Sequence, residues 1–392
     1  MPDQGGPTVL HSVPLWLPST SPWLWNQVRF VPPPVVTHVA AERVHEPERF
    51  PIANLHRFDR EPAWRRLTDR ALRRAGVRAH LGFLSRVARK VGAGIVHSHW
   101  GDTGWRDVEA ARRAGALHVV SFYGKDLQFL PRQDPRWRDR YRAMFGAAAA
   151  VLCEGPHFAR CLVELGCPEG RVRVQPLGVD VAAIQFAPRA RPAGAPFRIL
   201  AAGSFREKKG MPDAIDAAGA LAARLDGVSL TIVGDASDDP RSHVEKERIL
   251  AAIARHRDIL PVTLLGYRSH AELFTAAYEH DVFIAPSRHA DDGDTEGGAP
   301  VVLLDMAAAG LPIVATRHCD IPSSVLDGET GLLTAEGDVP ALAAALQRLA
   351  SEPTLCARFA SRGRAHVERN FDVHVLGRRL GAIYQELSAG RR

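Results

Sequence analysis

One strand–loop–helix–strand unit, residues 281–320, constrains the fold of this chain more than any other stretch. The apolar run Val282 to Ala285 predicts a buried strand of a parallel sheet, and Val301 to Ala309 predicts a helix that ends at Gly310. The turn before that helix is rich in glycine, so the free N–H groups of the helix N-terminus are open to a phosphate. The sequence therefore predicts an α/β fold with a phosphate-binding turn. The residues of the turn are Gly297, Gly298, Ala299 and Pro300.

Two carboxylates flank this turn. Glu296 precedes it, and Asp305 follows nine positions later inside the predicted helix. The arrangement resembles the E-x7-E signature of the retaining family-4 glycosyltransferases, which have the GT-B fold of two Rossmann-like domains facing a cleft. The resemblance implies that Glu296 is a catalytic residue that binds hydroxyls of the donor sugar, while Asp305 and the turn bind the nucleotide part. Here the spacing is one residue longer, and the second acid is Asp where the family has Glu.

The TEGGAP turn and the HCDIP segment resemble a branch of that family associated with bacterial exopolysaccharide and colanic-acid assembly. The implied activity is retaining transfer of a hexosyl group from a nucleotide sugar to a glycan or lipid-linked glycan, in exopolysaccharide or cell-envelope synthesis. Two alternatives stay open at this point: a glycosyltransferase of a secondary metabolite, and a GT-B protein that binds a nucleotide sugar without catalysis. We expect a UDP- or GDP-sugar as donor and no further cofactor.

Basic side chains follow the first predicted strand of the C-terminal half, FRILAAG, which ends at Gly203. Family members place an arginine directly after this glycine and a lysine before the next one, and both bind the donor phosphates. Lys209 matches the lysine, but Ser204 stands where the arginine is expected, so we predict that Arg206 supplies the guanidinium. Fixed cations suit this place because a diphosphate leaving group develops negative charge in the transition state. The resemblance implies further donor contacts near the ends of the two following strands, at Gly234, Tyr267 and Arg268.

Two strand ends in the N-terminal half carry polar residues, HSHWG and FYGKD. Ligands of open α/β sheets bind at the carboxyl ends of strands, so both segments are candidates for an acceptor site. The family commonly has H-x-H-F-G and F-H-G-x-D at these places. By this resemblance His99 is a catalytic candidate, although a histidine at a strand end is also compatible with a structural role. Tyr123 replaces the family's second histidine and, with Gly124 and Asp126, is assigned to the acceptor side.

The length of 392 residues predicts two domains of ordinary size. The stretch ARPAGAP, residues 190–196, has the composition of a linker. We predict an acceptor-binding Rossmann-like domain at 1–188 and a nucleotide-sugar-binding Rossmann-like domain at 189–370. A C-terminal helix at 371–392 is expected to return to the first domain.

Composition argues against several classes of protein. No apolar run reaches the roughly 18 residues of a membrane-spanning helix, and the first residues, MPDQGGPTVLHS, lack the features of a signal peptide. We therefore expect a cytoplasmic enzyme, peripheral at the inner face of the membrane. Five cysteines without a CxxC pair favour neither a disulfide framework nor a zinc site. The acidic cluster at 291–294 suits a hard cation, but we expect no metal, because GT-B enzymes bind the diphosphate with basic side chains and helix dipoles.

The net charge of +6 is unevenly spread, with an excess of arginine between Arg57 and Lys90. One interpretation of this segment is a solvated helical face. The other is attraction to an anionic membrane surface or to a polyprenyl-diphosphate-linked acceptor. Nucleic acid is not an expected partner, because few aromatic residues, such as Trp64 and Phe83, are interleaved with the arginines. The oligomeric state is left open.

Overall fold

The computed structural model describes residues 6–17, 22–192 and 194–390. It contains two compact units. Unit 1 consists of Met1–Gly178 and Val373–Arg392, and unit 2 consists of Val179–Asp372. Each has the strand–helix alternation that the sequence predicts for a Rossmann-like domain.

The division between the units falls after residue 178, earlier than the prediction of 188 that rested on linker composition. Val179 pairs with Asp372 in an isolated β-bridge. The side chains of Val181 and Ile184 pack in the core of unit 2. These contacts attach residues 179–189 to unit 2, so the segment 190–196 lies within that unit and does not mark its edge.

Unit 1 is built on a sheet of parallel strands, seven within its described residues. The strands are β1 Thr8–Trp16, β2 Val36–Val44, β3 Leu55–Arg57, β4 Ile95–His99, β5 Leu117–Ser121, β6 Ala150–Cys153 and β7 Val172–Val174. Their spatial order is β3-β2-β1-β4-β5-β6-β7. Adjacent residues of β1, Val9 and Leu10, belong to different hydrophobic clusters, because successive side chains of a strand point to opposite faces.

Helices cover the faces of this sheet. They are α1 Pro22–Arg29, α2 Ala63–Arg74, α3 Gly82–Lys90, α4 Gly101–Ala114, α5 Leu130–Gln133, α6 Arg136–Ala147 and α7 Pro156–Glu164. Helix α3 shows why they dock: Phe83, Leu84 and Val87 form one apolar face and are buried in the same cluster as Leu10.

Unit 2 repeats the plan with a sheet of six parallel strands in its described residues. The strands are β8 Phe197–Ala202, β9 Val228–Val233, β10 Val262–Gly266, β11 Val282–Ala285, β12 Ile313–Thr316 and β13 Gly331–Thr334, in the spatial order β10-β9-β8-β11-β12-β13. Ile199 and Leu200 lie in different core clusters, so this sheet is also packed on both faces. Its helices are α8 Met211–Ala222, α9 Pro240–His256, α10 His270–Glu279, α11 Val301–Ala309, α12 Ile321–Ser324, α13 Val339–Ser351 and α14 Pro353–Asn370.

Strand order places the candidate residues. In unit 1 the order reverses between β1 and β4, and in unit 2 between β8 and β11. The carboxyl ends of strands at such a reversal flank a crevice in which open α/β sheets bind ligands. His99 is the last residue of β4, Gly203 follows β8, and the Glu296 loop follows β11.

The last helix, α15, spans Val373–Ala389 and belongs to unit 1, as the sequence predicts for the C-terminal helix. Tyr384 of this helix is fully buried in a cluster with Val9 and Ile95. Among the described residues, no helix combines the length and the apolar character that crossing a membrane requires.

Candidate active site

The loops after β8 and β11 touch through their backbones. Gly210 closes the first loop at φ 62°, and a β-carbon added there would lie 2.0 Å from the carbonyl oxygen of Pro286. Only glycine fits this contact. The approach brings together two residues that the sequence singled out, since Nζ of Lys209 lies 2.9 Å from Oε2 of Glu296.

The Glu296 carboxylate is buried and fixed by two partners. Its side chain is 6% exposed, and Oε1 accepts a hydrogen bond of 2.9 Å from the Ser287 hydroxyl. Burial acts to raise the pKa of Glu296, but the charges of Lys209 and Lys208 and the Lys209 hydrogen bond together hold the pKa below its ordinary value. The group is therefore ionised at neutral pH and can accept hydrogen bonds from a polyol.

Arg206 pairs with other carboxylates. Its terminal nitrogens are each 2.8 Å from a carboxylate, one from Asp239 and the other from Asp294. Lys208 also contacts Asp294, at 3.2 Å, and donates to the Thr295 carbonyl at 2.8 Å. Of the predicted basic pair, only Lys209 is brought to Glu296, while Arg206 is neutralised by acidic side chains.

Three glycines stand at the carboxyl ends of β8, β9 and β10: Gly203 and Gly234 directly follow their strands, and Gly266 is the last residue of β10. Gly234 donates its N–H to the Gly266 carbonyl at 2.9 Å. A β-carbon at Gly234 would lie 1.9 Å from the Gly203 carbonyl oxygen, so glycine is required there by backbone packing. Tyr267 is half exposed, and its carbonyl accepts from Nη1 of Arg268 at 3.2 Å. The donor contacts that the resemblance implies for Gly234, Tyr267 and Arg268 stay predictions.

The turn before α11 has the geometry that its glycines predict. Gly297 has a φ of 76°, in the left-handed region, and donates to Oγ1 of Thr295 at 3.1 Å. The carbonyl of Gly298 accepts from the Asp320 N–H at 3.2 Å. Ala299 and Pro300 then lead into the helix, as predicted.

Asp305 is buried in the second turn of α11. Its Oδ2 lies 3.2 Å from Nε2 of His270, the first residue of α10. The carboxylate of Asp305 is thus contacted by a side chain of the neighbouring helix α10. A ribose contact by Asp305 remains a prediction.

Sequence reasoning did not identify Ser287 and Lys208, nor the pair His318 and Glu336 on the backbone side of Glu296. The backbone nitrogen of Glu296 donates to Nε2 of His318 at 3.1 Å. The other ring nitrogen of His318 lies 2.8 Å from Glu336, which follows β13. For His318 a signal was present, because the histidine of the HCDIP segment comes shortly after a predicted strand. No motif around Glu336 marks it as a functional residue.

In unit 1, His99 belongs to a chain of hydrogen-bonded groups. Its Nδ1 lies 2.6 Å from the Tyr123 hydroxyl, and its Nε2 lies 2.9 Å from Nδ1 of His11. The Tyr123 hydroxyl also contacts Oε1 of Gln27 at 2.8 Å. Burial lowers the pKa of His99 well below its ordinary value, and His11 adds to the effect. The ring is therefore neutral, and the Tyr123 hydroxyl is its partner on the Nδ1 side.

Asp126 clamps the loop that contains Tyr123. Its carboxylate oxygens accept the backbone N–H groups of Gly101 at 2.7 Å and of Tyr123 at 3.0 Å. Gly124, which lies between Tyr123 and Asp126 in the sequence, has a φ of 96°, a value that favours glycine. Burial raises the pKa of Asp126 to about 7, against the opposing effect of these hydrogen bonds. The observed contacts of Asp126 are structural, and acceptor binding by this segment stays a prediction.

Two clusters within the described residues offer three closely spaced metal-ligand atoms: His11, His97 and His99 in unit 1, and His289, His318 and Cys319 in unit 2. In the first cluster His97 is engaged by Tyr384 at 2.6 Å and Ser121 at 2.7 Å, and both nitrogens of His99 have partners. In the second, the lone pair of His318 faces a backbone N–H. Nε2 of His11, by contrast, is buried without a hydrogen-bond partner among the described residues, and the absence of a metal stays a prediction. The nearby acidic residues Asp292 and Asp294 pair with basic side chains.

Two models of protein families match the chain in succession. The model described as Glycosyltransferase Family 4 matches residues 26–183, and the model described as Glycosyl transferases group 1 matches residues 196–352. The amylovoran biosynthesis glycosyltransferase AmsK of Erwinia amylovora is 30% identical over 272 residues, which are 69% of this chain and 64% of that protein. WcaL of Escherichia coli K12, a glycosyltransferase named for colanic acid biosynthesis, is 30% identical over 350 residues, 85% of this chain and 80% of that protein.

Solved structures show the same fold at lower identity. HepE of Anabaena, crystallised with UDP-glucose, has a TM-score of 0.73 at 16% identity and covers 97% of this chain and 99% of its own. Sucrose-phosphate synthase of Thermosynechococcus elongatus has a TM-score of 0.73 at 19% identity, over 98% of this chain and 100% of its own. At these identities the likeness extends to the fold alone.

Proposed function

The chain belongs to glycosyltransferase family 4 and has its GT-B fold, and from this premise we propose that it moves a hexosyl group from a UDP- or GDP-sugar to a glycan or polyprenyl-diphosphate-linked glycan. Transfer with retention is characteristic of the family. The observation that supports the choice of donor site is the Lys209–Glu296 pair at the carboxyl edge of the unit 2 sheet. Exopolysaccharide or cell-envelope synthesis is the proposed process, because AmsK and WcaL are named for such pathways.

The proposed roles follow from charge. Lys209 and the N-terminus of α11 supply positive charge for the donor diphosphate, and the ionised Glu296 accepts hydrogen bonds from sugar hydroxyls. The bond between the sugar C1 and the phosphate oxygen breaks while a bond from C1 to the acceptor oxygen forms on the same face. The acceptor's proton passes to a phosphate oxygen of the leaving diphosphate. The donor phosphate thus acts as the base, and Glu296 positions the sugar.

The proposed location is the cytoplasmic face of a membrane, where a lipid-linked acceptor would be met. Helix α2 supports this because Trp64 and Leu67, three positions apart on one face, are 65% and 66% exposed. Arg70 and Arg74 are exposed on the same helix. An exposed apolar stripe flanked by arginines fits a helix that lies in the interface of an anionic membrane.

Thermal-shift measurements with UDP-, GDP-, ADP- and dTDP-sugars test the donor class. A donor at about 100 times its Kd should stabilise the folded state by about 2.7 kcal/mol, since only the folded state binds it. A UDP- or GDP-sugar should raise Tm, and a rise with ADP- or dTDP-sugars alone would contradict the proposal.

The role of Glu296 is tested with the donor so identified. Glu296→Gln keeps the shape of the side chain and removes its charge, so kcat/KM should fall roughly 100-fold or more. Glu352→Gln, an exposed carboxylate at the start of α14, is the matched control and should keep wild-type activity. Equal activity of Glu296→Gln and the control would reject the assignment.

A further inference from the structure

The hydrogen-bond partners of His318 fix its tautomer. Its Nε2 lies 3.1 Å from the backbone nitrogen of Glu296, and a backbone N–H can only donate. Nε2 therefore presents a lone pair, and the proton of the neutral ring lies on Nδ1. That N–H group donates to Oε1 of Glu336 at 2.8 Å. Burial lowers the pKa of His318, against the raising effect of its hydrogen bond to Glu336, so the ring is neutral at neutral pH.

Glu336 is held in turn by His289. The backbone N–H of His289 donates to Oε2 of Glu336 at 2.8 Å, and Nδ1 of its ring lies 2.9 Å from the same oxygen. Burial acts to raise the pKa of Glu336, but the hydrogen bonds from His289 and His318 lower it overall. Both carboxylate oxygens of Glu336 are therefore engaged, and its charged form is the stable one.

These groups connect three neighbouring strands of unit 2. His289 and Glu296 lie in the loop after β11, His318 lies after β12, and Glu336 lies after β13. The contacts tie the backbone of the long β11–α11 loop to the two strands beside it. A loop that must present a carboxylate needs such supports, because a catalytic group works only within about 0.5 Å of its productive position.

Cys319, next to His318, has a φ of 47°, which is rare for a residue with a β-carbon. Such strain persists only where the surroundings over-determine the backbone, and it is common at functional sites. Its Sγ lies 3.2 Å from Nε2 of His318. Burial raises the pKa of the thiol to about 12, so the thiol keeps its proton at neutral pH.

We propose that Glu336 and His318 are a positioning pair for Glu296: Glu336 selects the tautomer of His318, and His318 holds the backbone of Glu296 so that its carboxylate meets the donor sugar beside Lys209. The inference rests on the proposed role of Glu296. Neither residue is assigned a contact with substrate. Their effect on catalysis is indirect and passes through one hydrogen bond, that between the Glu296 N–H and the His318 ring.

The test removes that hydrogen bond in the full-length chain. His318→Phe keeps a ring of similar size but has no acceptor, whereas His318→Gln can offer an amide oxygen. His280→Phe is the matched control, because His280 is also buried in unit 2 but contacts Ala276 and Thr231 instead. Hydrogen–deuterium exchange of the Glu296 amide measures whether the hydrogen bond to His318 is present, and it needs no substrate. The effect on catalysis is measured as kcat for release of the nucleoside diphosphate from the donor identified above.

In His318→Phe the Glu296 amide should exchange at least tenfold faster, and kcat should fall about 10- to 100-fold, by analogy with residues that orient the ligands of metal sites. His318→Gln should recover part of both, and His280→Phe should match the wild type. Glu336→Gln should lower kcat in the wild-type background but cost nothing further in His318→Phe, because a residue that acts through His318 loses its effect when His318 is absent.

An unchanged exchange rate of the Glu296 amide in His318→Phe would overturn the inference. Additive losses of kcat in the double variant His318→Phe, Glu336→Gln would also overturn it. If the substituted chains do not fold, the tautomer of His318 is measured in the wild-type protein by a two-bond ¹H–¹⁵N spectrum. A proton on Nε2 of His318 would contradict the assigned tautomer. Failure of the proposed function is recognised separately, since it would leave Glu296→Gln fully active while the amide of Glu296 stays protected by His318.

Discussion

Replacing Lys209 tests whether this cation is the main fixed charge of the donor site. Lys209→Met keeps the length of the side chain and removes its charge. Loss of one fixed donor to a developing oxyanion costs about 2–4 kcal/mol of barrier, which corresponds to a fall in kcat/KM of about 30- to 900-fold. Lys209→Arg retains the charge and should lose much less.

The structure adds a second effect of the same substitution. Lys209 is the closest cation to Glu296, at 2.9 Å, and its charge and hydrogen bond oppose the effect of burial on the pKa of Glu296. Without Lys209, burial dominates and this pKa rises. A carboxylate that must be ionised then loses activity on the acid side, so the acid limb of the kcat/KM profile should move to higher pH in Lys209→Met.

The assay is release of the nucleoside diphosphate from the identified donor between pH 4 and pH 8, with Lys209→Arg as control. The reasoning is refuted if Lys209→Met keeps kcat/KM within about threefold of the wild type, which is far less than one oxyanion donor contributes. An unmoved acid limb with reduced kcat/KM would refute only the coupling between Lys209 and Glu296.

Three further predictions concern other parts of the chain. Arg206→Ala should lower kcat/KM less than Lys209→Met, because both of its terminal nitrogens are occupied by carboxylates; an equal or larger loss would show that Arg206 leaves these ion pairs for the donor. The fraction of protein that sediments with anionic vesicles should fall as the salt concentration rises, and it should also fall in the double variant Trp64→Ser, Leu67→Ser. Equal binding to neutral vesicles would contradict attraction by the arginines. The pKa of Asp126 is raised to about 7, so its contribution to the free energy of unfolding is fully present below about pH 4 and is lost as pH rises through 7, on the order of 4 kcal/mol. Tm should therefore fall between pH 5 and pH 7 more steeply in the wild type than in Asp126→Asn, and identical slopes would refute the shift.

Local patterns in the sequence were sufficient for the central unit. The predicted strand Val282 to Ala285 and helix Val301 to Ala309 have the bounds found in the structure. Gly310 ends the helix at a φ of 100°, as a left-handed cap requires. These features depend on hydrophobic runs, glycine and proline within a few residues of one another, so no distant contact is needed to infer them.

Pairings between distant segments were not accessible in this way. The position of Arg206 in a short basic turn suggested a phosphate ligand, but Asp239 and Asp294, far along the chain, now hold its guanidinium. The boundary near residue 188 was placed by linker composition, whereas the β-bridge of Val179 to Asp372 sets it earlier. Each outcome depends on which side chains the fold brings to one place.

The sequence by itself determined the class of fold, the family and the carboxylate–glycine–helix motif, because periodicity and short motifs are properties of consecutive residues. Only the tertiary structure decided that Lys209 pairs with Glu296, that Tyr123 joins His99 and that His318 and Glu336 support the Glu296 loop. The physical reason is that the carboxyl ends of parallel strands gather loops separated by tens of residues at one edge of a sheet. Charge and hydrogen-bond partners, and hence the ionisation of the site, are fixed only once those loops are packed together.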